Sequence, residues 1–235
     1  MAREWFAHYD RHFDIKPDDS GLEEARFIKR VLRLRRGQSA LDVPCGAGRV
    51  AIHLARRGIR MTGVDATQAY IDRARRRFAQ ERLAGTFHVR DMRRIDFDAK
   101  FDAAFNWQGS FGFFGDAQDL DFLQRLARAI RPGGRVLVDQ RSREHMLRHF
   151  RAKHVEGYVT SRTTWNRRTQ QAITVQTDRR TGRSWRMTIR FYTPAQFREL
   201  FAAAGLDVEA MYGDLAGNEY MRGSRRICVL GRKPR

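Results

Sequence analysis

The feature that most constrains the fold is the stretch at residues 39–50, which reads SALDVPCGAGRV. A short apolar run ends on Asp42, a loop of small residues follows, and a helical pattern begins near Val50. This order of strand, glycine turn and helix start directs helix N-terminal amides toward an anion or a nucleotide. Gly46 and Gly48 lack a Cβ, so the backbone turns sharply there and approaches a ligand closely. The sequence therefore predicts a nucleotide-binding strand-loop-helix unit at this point.

Acidic residues also follow the next two predicted strands. Asp65 ends the run at residues 59–64, at about the spacing at which an acid meets ribose hydroxyls. Asp91 follows the strand predicted at residues 86–89 and precedes Met92. A carboxylate accepts a hydrogen bond from an adenine amino group, and a soft thioether side chain covers the ring. Three strand ends thus offer acids to an amine, a ribose and an adenine, all of which S-adenosylmethionine (SAM) carries.

The glycines alone leave the choice of cofactor open. The spacing Gly46-x-Gly48-x-x-Ala51 with Asp65 also fits a nicotinamide-dinucleotide site. A carboxylate at Asp42 repels a pyrophosphate but complements the ammonium group of a methionine moiety. This charge argument favours SAM.

Several segments, taken in order, carry a resemblance to a known family. The runs LDVPCGAGR, GVDAT, RDM, FDAAFNWQGSFGFF and RPGGRVLVD, within residues 38–139, resemble the class I SAM-dependent methyltransferases. Pro44 stands where many members have the first glycine of the loop. The run FDAAFNWQGSFGFF, with the later FYTP and YGDLAG, is similar to small-molecule methyltransferases such as the glycine/sarcosine and TDP-aminosugar N-methyltransferases.

The residues expected to hold SAM lie at the ends of the first four strands. Asn106 and Gln108 belong to this set because the strand at residues 101–106 ends at the carboxyl edge of the sheet, where open α/β sheets bind ligands. The full set is Asp42, Pro44, Gly46, Gly48, Arg49, Asp65, Ala66, Asp91, Met92, Asn106 and Gln108.

The order of predicted elements indicates the fold class. Strands and helices alternate up to residue 139, which favours a parallel, doubly wound sheet. Residues 158–192 alternate β-branched or aromatic residues with polar ones, which indicates a hairpin or three antiparallel strands with a turn near residues 181–182. We predict a Rossmann-like α/β fold with a seven-stranded, mostly parallel sheet and an antiparallel β insertion after strand five. The predicted parts are an N-terminal cap (1–36), a SAM-binding core (37–140), a basic insertion over the substrate (141–193) and the last helix and two strands (194–235).

The net charge of +19 bears on the acceptor. Residues 141–193 contain thirteen basic and three acidic residues, so this segment supplies ten of the nineteen excess charges. A small, acidic acceptor is the first interpretation, because a basic segment attracts anions. A nucleic acid is the second, and strand four argues against it, since Asn106-Trp107-Gln108-Gly109 lacks the Asn/Asp-Pro-Pro-aromatic signature of base-methylating families. A non-catalytic SAM-binding protein is the third, and retention of the three acids argues against it.

Methyl transfer requires the nucleophile, the methyl carbon and the sulfur nearly in line, and holding reactants in place supplies roughly 7–11 kcal/mol. A protonated amine or a hydroxyl acceptor also requires a base, which contributes about 10²- to 10⁴-fold. The predicted catalytic residues are Tyr9, Tyr192 and Tyr212, with His12 and Asp214 as further candidate bases. In the resembled families a short N-terminal helix, here the one containing Tyr9, closes over the cofactor.

Composition narrows the remaining classes. Cys45 and Cys228 are interpreted as buried side chains rather than a disulfide framework. No cluster of Cys, His and acidic residues has metal-ligand spacing, so no metal site is predicted. The chain contains no apolar run of about 18 residues, and its N-terminal residues lack the apolar stretch of a secretory signal. We therefore predict a cytoplasmic protein that spans no membrane, with an oligomeric state that the sequence leaves open.

Overall fold

The computed structural model describes residues 20–235, so Tyr9 and His12 lie outside the described residues. The helices are α1 (Leu22–Val31), α2 (Ala51–Ala55), α3 (Gln68–Gln80), α4 (Asp116–Ala129), α5 (Arg143–Arg148) and α6 (Pro194–Ala203). The strands are β1 (Ser39–Asp42), β2 (Arg60–Asp65), β3 (Gly85–Val89), β4 (Phe101–Asn106), β5 (Ile130–Arg141), β6 (Lys153–Glu156), β7 (Val159–Asn166), β8 (Gln171–Asp178), β9 (Ser184–Arg190), β10 (Asp207–Tyr212) and β11 (Arg226–Arg232). None of the helices within these residues is long and apolar enough to cross a membrane.

The main sheet has seven strands in the order β10-β11-β5-β4-β1-β2-β3. Strands β1 to β5 run parallel to their neighbours, whereas β11 is antiparallel to β5 and to β10. The chain winds outward from β1 in one direction to β3 and in the other to β5, so the strand order reverses between β1 and β4. Doubly wound sheets bind ligands at this switch point. The predicted fold class is confirmed.

Helices cover both faces of the sheet, and an apolar cluster lies between the helices and the sheet on each face. On one face, Phe27, Leu54 and Phe78 of α1, α2 and α3 belong to one apolar cluster. On the other face, Phe122 of α4 and Phe197 of α6 belong to a second. Each of these five side chains is at most 3% exposed, and burying one such side chain contributes about 1.5–3 kcal/mol. The sheet is therefore held by packing on both of its faces beneath the loops at its carboxyl edge.

Strands β6 to β9 form a separate antiparallel sheet, which we call the inserted sheet. The expected insertion after strand five is present, and its turn at Gly182 has a positive φ of 69° between β8 and β9. Strand β6 was not predicted, because its sequence KHVE is exposed along its whole length and shows no apolar alternation. It forms by pairing with β7, a partner that sequence periodicity does not reveal.

The inserted sheet returns to the core at a buried junction formed by Gly112, Gln140, Arg190 and Tyr192. Gln140 Nε2 donates to the carbonyl oxygen of Arg190 at 2.8 Å, and the Tyr192 backbone amide donates to Gln140 Oε1 at 3.0 Å. The Arg190 amide donates to the carbonyl oxygen of Gly112 at 2.7 Å. Gln140 Nε2 also donates to the carbonyl oxygen of Phe111 at 3.1 Å, so one side chain of β5 fixes the loop after β4 and the end of β9 together. We call this set the return junction.

Two local boundaries differ from the sequence prediction. The sequence pattern predicts Ser20 or Asp19 as the N-cap of the first helix, but α1 has Gly21 as its N-cap, without a side-chain cap. The sequence pattern predicts strand five at residues 135–139, but β5 begins at Ile130, because Ile130 already pairs with Phe101 of β4 before a register shift. Neither difference moves a strand end at the carboxyl edge.

The buried carboxyl group of Asp119 makes stability depend on pH. It is 1% exposed, and desolvation raises its pKa to about 6 despite a hydrogen bond from the Tyr192 hydroxyl at 2.8 Å. An unfolded aspartate titrates near about 3.9, so the folded state binds the proton more tightly and stability falls as the pH rises from about 4 to about 6. Asp119→Asn stays neutral and still accepts from Tyr192, so we expect it to reduce this fall by about 2 kcal/mol.

Thermal unfolding between pH 4 and pH 7 measures the effect on wild type and Asp119→Asn. Asp121→Asn removes a half-exposed carboxylate from the same helix and is expected to keep the wild-type dependence. An Asp119→Asn protein as pH-dependent as wild type would contradict the assignment.

Candidate active site

The glycine turn after β1 is tied to the end of β2. The backbone amide of Gly46 donates to Asp65 Oδ2 at 3.0 Å, and the Thr67 amide donates to Asp65 Oδ1 at 2.8 Å. Desolvation raises the pKa of Asp65, and these amides partly counter the effect. Gly46 has a φ of +51°, and a Cβ built there would meet no atom within 4 Å. The space beside Gly46 is therefore open to a ligand, with the Asp65 carboxylate at its edge.

Asp42 lies at the end of β1 and is 3% exposed. Desolvation raises its pKa well above the usual value, Arg49 opposes this shift, and the nearby Asp65 adds to it. Two carboxylates in a buried setting favour a cation between them. Arg49, predicted to contact SAM, forms an ion pair with Glu24 of α1 at 3.0 Å, so its guanidinium is already held by the fold.

The remaining predicted residues of the loop and of β2 lie beside these acids. Pro44 is half-buried and follows Val43 through a cis peptide bond. Gly48 has a φ of +74°, and a Cβ there would lie 3.3 Å from the Ala74 side chain of α3. Gly48 therefore permits close packing of the loop against α3. Ala66 is half-buried and follows Asp65 directly.

Asp91 and Met92 follow the end of β3. Asp91 accepts a hydrogen bond from the Arg93 amide at 2.9 Å, and Arg93 Nη2 lies 2.6 Å from Asp91 Oδ2. Burial raises the pKa of Asp91, but the Arg93 contacts outweigh it and leave the pKa below its usual value. Met92 is buried in the second apolar cluster. Asp91 is thus a partly exposed carboxylate that already has one basic partner.

The end of β4 forms the boundary between two parts of the site. Asn106 is fully buried, and its Nδ2 donates to the carbonyl oxygen of Val43 at 2.8 Å. Asn106 Oδ1 is buried without a hydrogen-bond partner among the described residues. Gln108 is exposed with a φ of +61°, and Gly109 has open space where a Cβ would stand. Asn106 therefore stabilises the loop after β1 through this hydrogen bond. Residues 108–109 form a turn next to open space.

A cleft of about 1090 Å³ lies on the other side of β4. It is bounded by the ends of β4 and β5, by the inserted sheet and by the loop before β11. Its lining includes Gln108, Gly109, Phe113, Asp139, Gln140, Arg141, His145, Met187, Ile189, Phe191, Gly213, Asp214, Leu215, Gly223, Ser224, Arg225 and Arg226. In the sheet order, β5 and β11 are separated from β1, β2 and β3 by β4. The site thus has two neighbouring halves that meet at β4.

The basic residues of the inserted sheet do not line the cleft. Arg162 and Arg186 both pair with Val175, and all three are exposed on one face. The opposite face carries Met187 and Ile189, which line the cleft. The arginines that do line it are Arg141 of β5, Arg225 of the loop before β11 and Arg226 of β11. Of the thirteen basic residues counted in segment 141–193, Arg141 lines the cleft, whereas those on the strands of the inserted sheet do not.

Two of the predicted catalytic tyrosines have different surroundings. Tyr192 is 2% exposed, and its hydroxyl donates to Asp119 in the core. Burial raises the pKa of Tyr192 above its usual value, so the structure gives this hydroxyl a packing role and does not place it in the cleft. Tyr212 is half-buried, lies edge-on to Phe27 at 5.5 Å, and precedes Gly213 at the cleft.

Asp214 lines the cleft but is held in a turn. Its carboxylate accepts from the amides of Gly217 and Asn218 and from Asn218 Nδ2 at 2.8 Å. These bonds, the Asn218 side chain first, lower the pKa of Asp214. A lowered pKa makes Asp214 a weak base.

Asp139 and Arg226 lie in the cleft and were not singled out from the sequence. Arg226 Nε is 3.6 Å from Asp139 Oδ1, and the Arg226 guanidinium lies 5.1 Å from the centre of the Trp107 ring. The available signal was an acid directly after the apolar run at residues 136–138, the same pattern that identified Asp42 and Asp65 in β1 and β2.

The chain and its fold are both similar to known proteins. Residues 40–134 match a family model described as a methyltransferase domain. The cypemycin N-terminal methyltransferase of Streptomyces sp is 26% identical over 205 residues, which is 83% of this chain and 82% of that protein. Three further curated relatives align over less than half of this chain, and the chain spans less than half of their own lengths.

Two solved structures illustrate the likeness in fold. The CcbJ methyltransferase from Streptomyces caelestis gives a TM-score of 0.77 at 18% identity, covering 96% of each chain. SAM-bound CalS10, an amino pentose methyltransferase from Micromonospora echinaspora, gives 0.64 at 21% identity, covering 99% of this chain and 97% of that one. At these identities the likeness concerns the fold.

Proposed function

Because the chain contains a methyltransferase domain on the fold of the class I SAM-dependent methyltransferases, we propose that it methylates nitrogen or oxygen of a small, anionic acceptor. The class predicted from the motifs is confirmed, as is SAM as the methyl donor. The acceptor, the displacement geometry and the roles of individual residues belong to the proposal.

The proposal depends most on Asp42 and Asp65 at the open glycine turn. An ammonium group would offset the desolvation of Asp42, which suits the methionine end of SAM and disfavours a pyrophosphate. Asp65 ends β2, where carboxylates bind ribose hydroxyls in such folds. Asn106 Oδ1 is a buried acceptor that a donor on the ligand would satisfy. When bound, SAM supplies an electrophilic methyl group on a sulfonium sulfur.

The cleft beyond β4 supports a small acceptor with an acidic group. Its apolar wall, with Met187, Ile189 and Phe191, excludes water from a bound molecule. Its other wall carries arginines, which bind carboxylate and phosphate with planar, paired donors. The cypemycin N-terminal methyltransferase and the amino pentose methyltransferase are named for an N-terminus and an amino sugar, and the second of these supports a compact acceptor. We propose that the chain orients such an acceptor in line with the donor sulfur.

Release of S-adenosylhomocysteine (SAH) tests the function directly. Purified protein with SAM would be assayed against amines, amino sugars, phenols and N-terminal dipeptides, each with and without a carboxylate or phosphate. Faster release with the acidic members supports the proposal. Thermal shift with SAM and with NAD separates the two cofactors, because a ligand at one hundred times its Kd stabilises by about 2.7 kcal/mol. Stabilisation by NAD and not by SAM would refute the proposed methyltransferase function.

Arg141 and Arg225 are expected to recognise the acidic group. Both are exposed at the cleft and have no ion-pair partner among residues 20–235. Replacing either with glutamine removes one charged hydrogen-bond donor, so we expect KM for an acidic acceptor to rise about tenfold with little change in kcat. Arg162→Gln, on the outer face of the inserted sheet, is the matched control and should behave as wild type. An equal rise for a neutral amide analogue of the acceptor would contradict recognition of charge.

A further inference from the structure

Asp139 is a buried carboxylate that opens onto the cleft. It follows Val138, the residue of β5 that pairs with Asn106 of β4. It is 2% exposed, yet it lines the cleft. Strand β5 lies on the side of β4 opposite to β1 and β2, which carry Asp42 and Asp65. Asp139 therefore stands on the acceptor side of the β4 edge, one strand away from the half assigned to SAM.

The surroundings of Asp139 suit a group that exchanges a proton. Arg226 Nε lies 3.6 Å from Oδ1, and Cys228 Sγ donates to the same oxygen at 3.5 Å. The backbone amides of Gln108 and Gly109 also stabilise the carboxylate. Burial outweighs these contacts and raises the pKa of Asp139 above its usual value. A desolvated carboxylate takes a proton more readily, which is the property required of a base.

Arg226 holds this carboxylate in place. Its guanidinium is stacked near Trp107 at 5.1 Å, and it lies opposite Arg141 in the ladder between β11 and β5. Two neighbouring strands and the start of the loop after β4 thus fix the pair. Such a fixed carboxylate, at the junction of the two halves of the site, is positioned to contact a nucleophile held in the cleft.

We propose that Asp139 binds an amine of the acceptor and takes its proton, so that the atom methylated is nitrogen. An N–H bond of the ammonium breaks, the proton moves to the Asp139 carboxylate, and the nitrogen lone pair is freed. That lone pair forms the N–C bond with the methyl group, while the S–C bond breaks and its electron pair stays on sulfur. The proton then passes from Asp139 to solvent.

An amine fits this site better than a hydroxyl. The carboxylate of Asp139 complements the charge of an ammonium group, and a charge-assisted hydrogen bond is about twice as strong as a neutral one. An aliphatic hydroxyl carries no charge and is too weak an acid for a carboxylate to deprotonate. The inference rests on the proposed methyltransferase function and narrows its nucleophile from nitrogen or oxygen to nitrogen.

A matched pair of probes tests the inference by binding. 3-(Aminomethyl)benzoic acid and 3-(hydroxymethyl)benzoic acid share the ring and the carboxylate and differ only in the nucleophile. Isothermal titration into wild-type protein saturated with SAH is expected to show the amine binding at least about tenfold more tightly. Asp139→Asn is expected to lose this preference while SAM binding is retained. Asp207→Asn, which removes an exposed carboxylate at the start of β10, should keep it.

Turnover of the amine probe provides a second readout. At pH 7 we expect Asp139→Asn to lower kcat for SAH release about a hundredfold, and the deficit to shrink at higher pH as the probe loses its own proton. A merely structural role for Asp139 would give a deficit that does not depend on pH.

The outcomes separate the two proposals. Wild-type protein without a preference for the amine, or an Asp139→Asn protein that keeps it, would overturn the assignment. The wild-type measurement needs no variant, so it decides the matter even if Asp139→Asn does not fold. Failure of wild-type protein to bind SAM would instead refute the methyl-transfer function itself.

Discussion

Gly112→Ala is expected to lower the free energy of unfolding by about 3–5 kcal/mol, because the new methyl group has no room at the return junction. A Cβ on Gly112 would lie 2.3 Å from the carbonyl oxygen of Arg190 and 2.7 Å from Gln140 Nε2. The first of these atoms belongs to the backbone and cannot rotate away. Gly112 also has a φ of +94°, which is strained for any residue with a side chain. Both effects act on the contact that fixes the inserted sheet to the core.

Thermal unfolding measures this loss, with an expected fall in Tm of roughly 10 °C for a chain of this size. Gly37→Ala is the matched control, since Gly37 has a similar φ of +86° but nothing within 4 Å of the added Cβ. Gly37→Ala introduces the backbone strain alone, so we expect it to lower the free energy of unfolding by about 1–2 kcal/mol. Equal losses in the two variants would show that the close approach at Gly112 is relieved by small movements.

Asp65→Ala is expected to weaken SAM binding by about two to four orders of magnitude. The carboxylate is proposed to accept hydrogen bonds from the ribose, and two charge-assisted bonds contribute about 1.5–3 kcal/mol each. The same side chain accepts from the Gly46 amide, so its loss also releases the glycine turn that lies against the ligand. Isothermal titration with SAM measures the change.

Asp72→Ala is the control for this variant. Asp72 lies on α3, the helix that follows Asp65, and its side chain is 40% exposed with contacts to Gln68 and Arg75 on the same helix. We expect it to bind SAM as wild type does. Wild-type affinity in Asp65→Ala would show that the ligand lies elsewhere along the sheet edge.

The placement of the carboxylates at the ends of β1 and β2 was predictable because it depends on local order along the chain. Each of β1 and β2 is an apolar run that ends on an acid, and parallel strands bring such ends to one edge. The positions of Asp42 and Asp65 in the sequence are therefore enough to predict that the two carboxylates lie close together. The same rule applied to β5 would have found Asp139, which follows an apolar run at residues 136–138.

The cleft was harder to predict because it depends on which face a strand residue occupies. Successive residues of an extended segment point to opposite sides, so Phe191 lines the cleft while Tyr192 is buried against Asp119. The same alternation separates Arg162 from its neighbours on the cleft side. A count of charges along residues 141–193 does not show which face of the sheet each residue occupies. It also does not reveal that β6 forms a strand by pairing with β7.

The return junction joins the inserted sheet to the core through backbone atoms of the inserted sheet. Among the hydrogen bonds of residues 20–235, Gln140 reaches the inserted sheet at the end of its last strand, through main-chain atoms of Arg190 and Tyr192. These two hydrogen bonds use main-chain atoms of the inserted sheet, so they do not themselves depend on the side chains of β6 to β9. Under the proposed function, side chains of the inserted sheet that line the cleft, such as Met187 and Ile189, can therefore be exchanged to change acceptor specificity without altering these backbone hydrogen bonds.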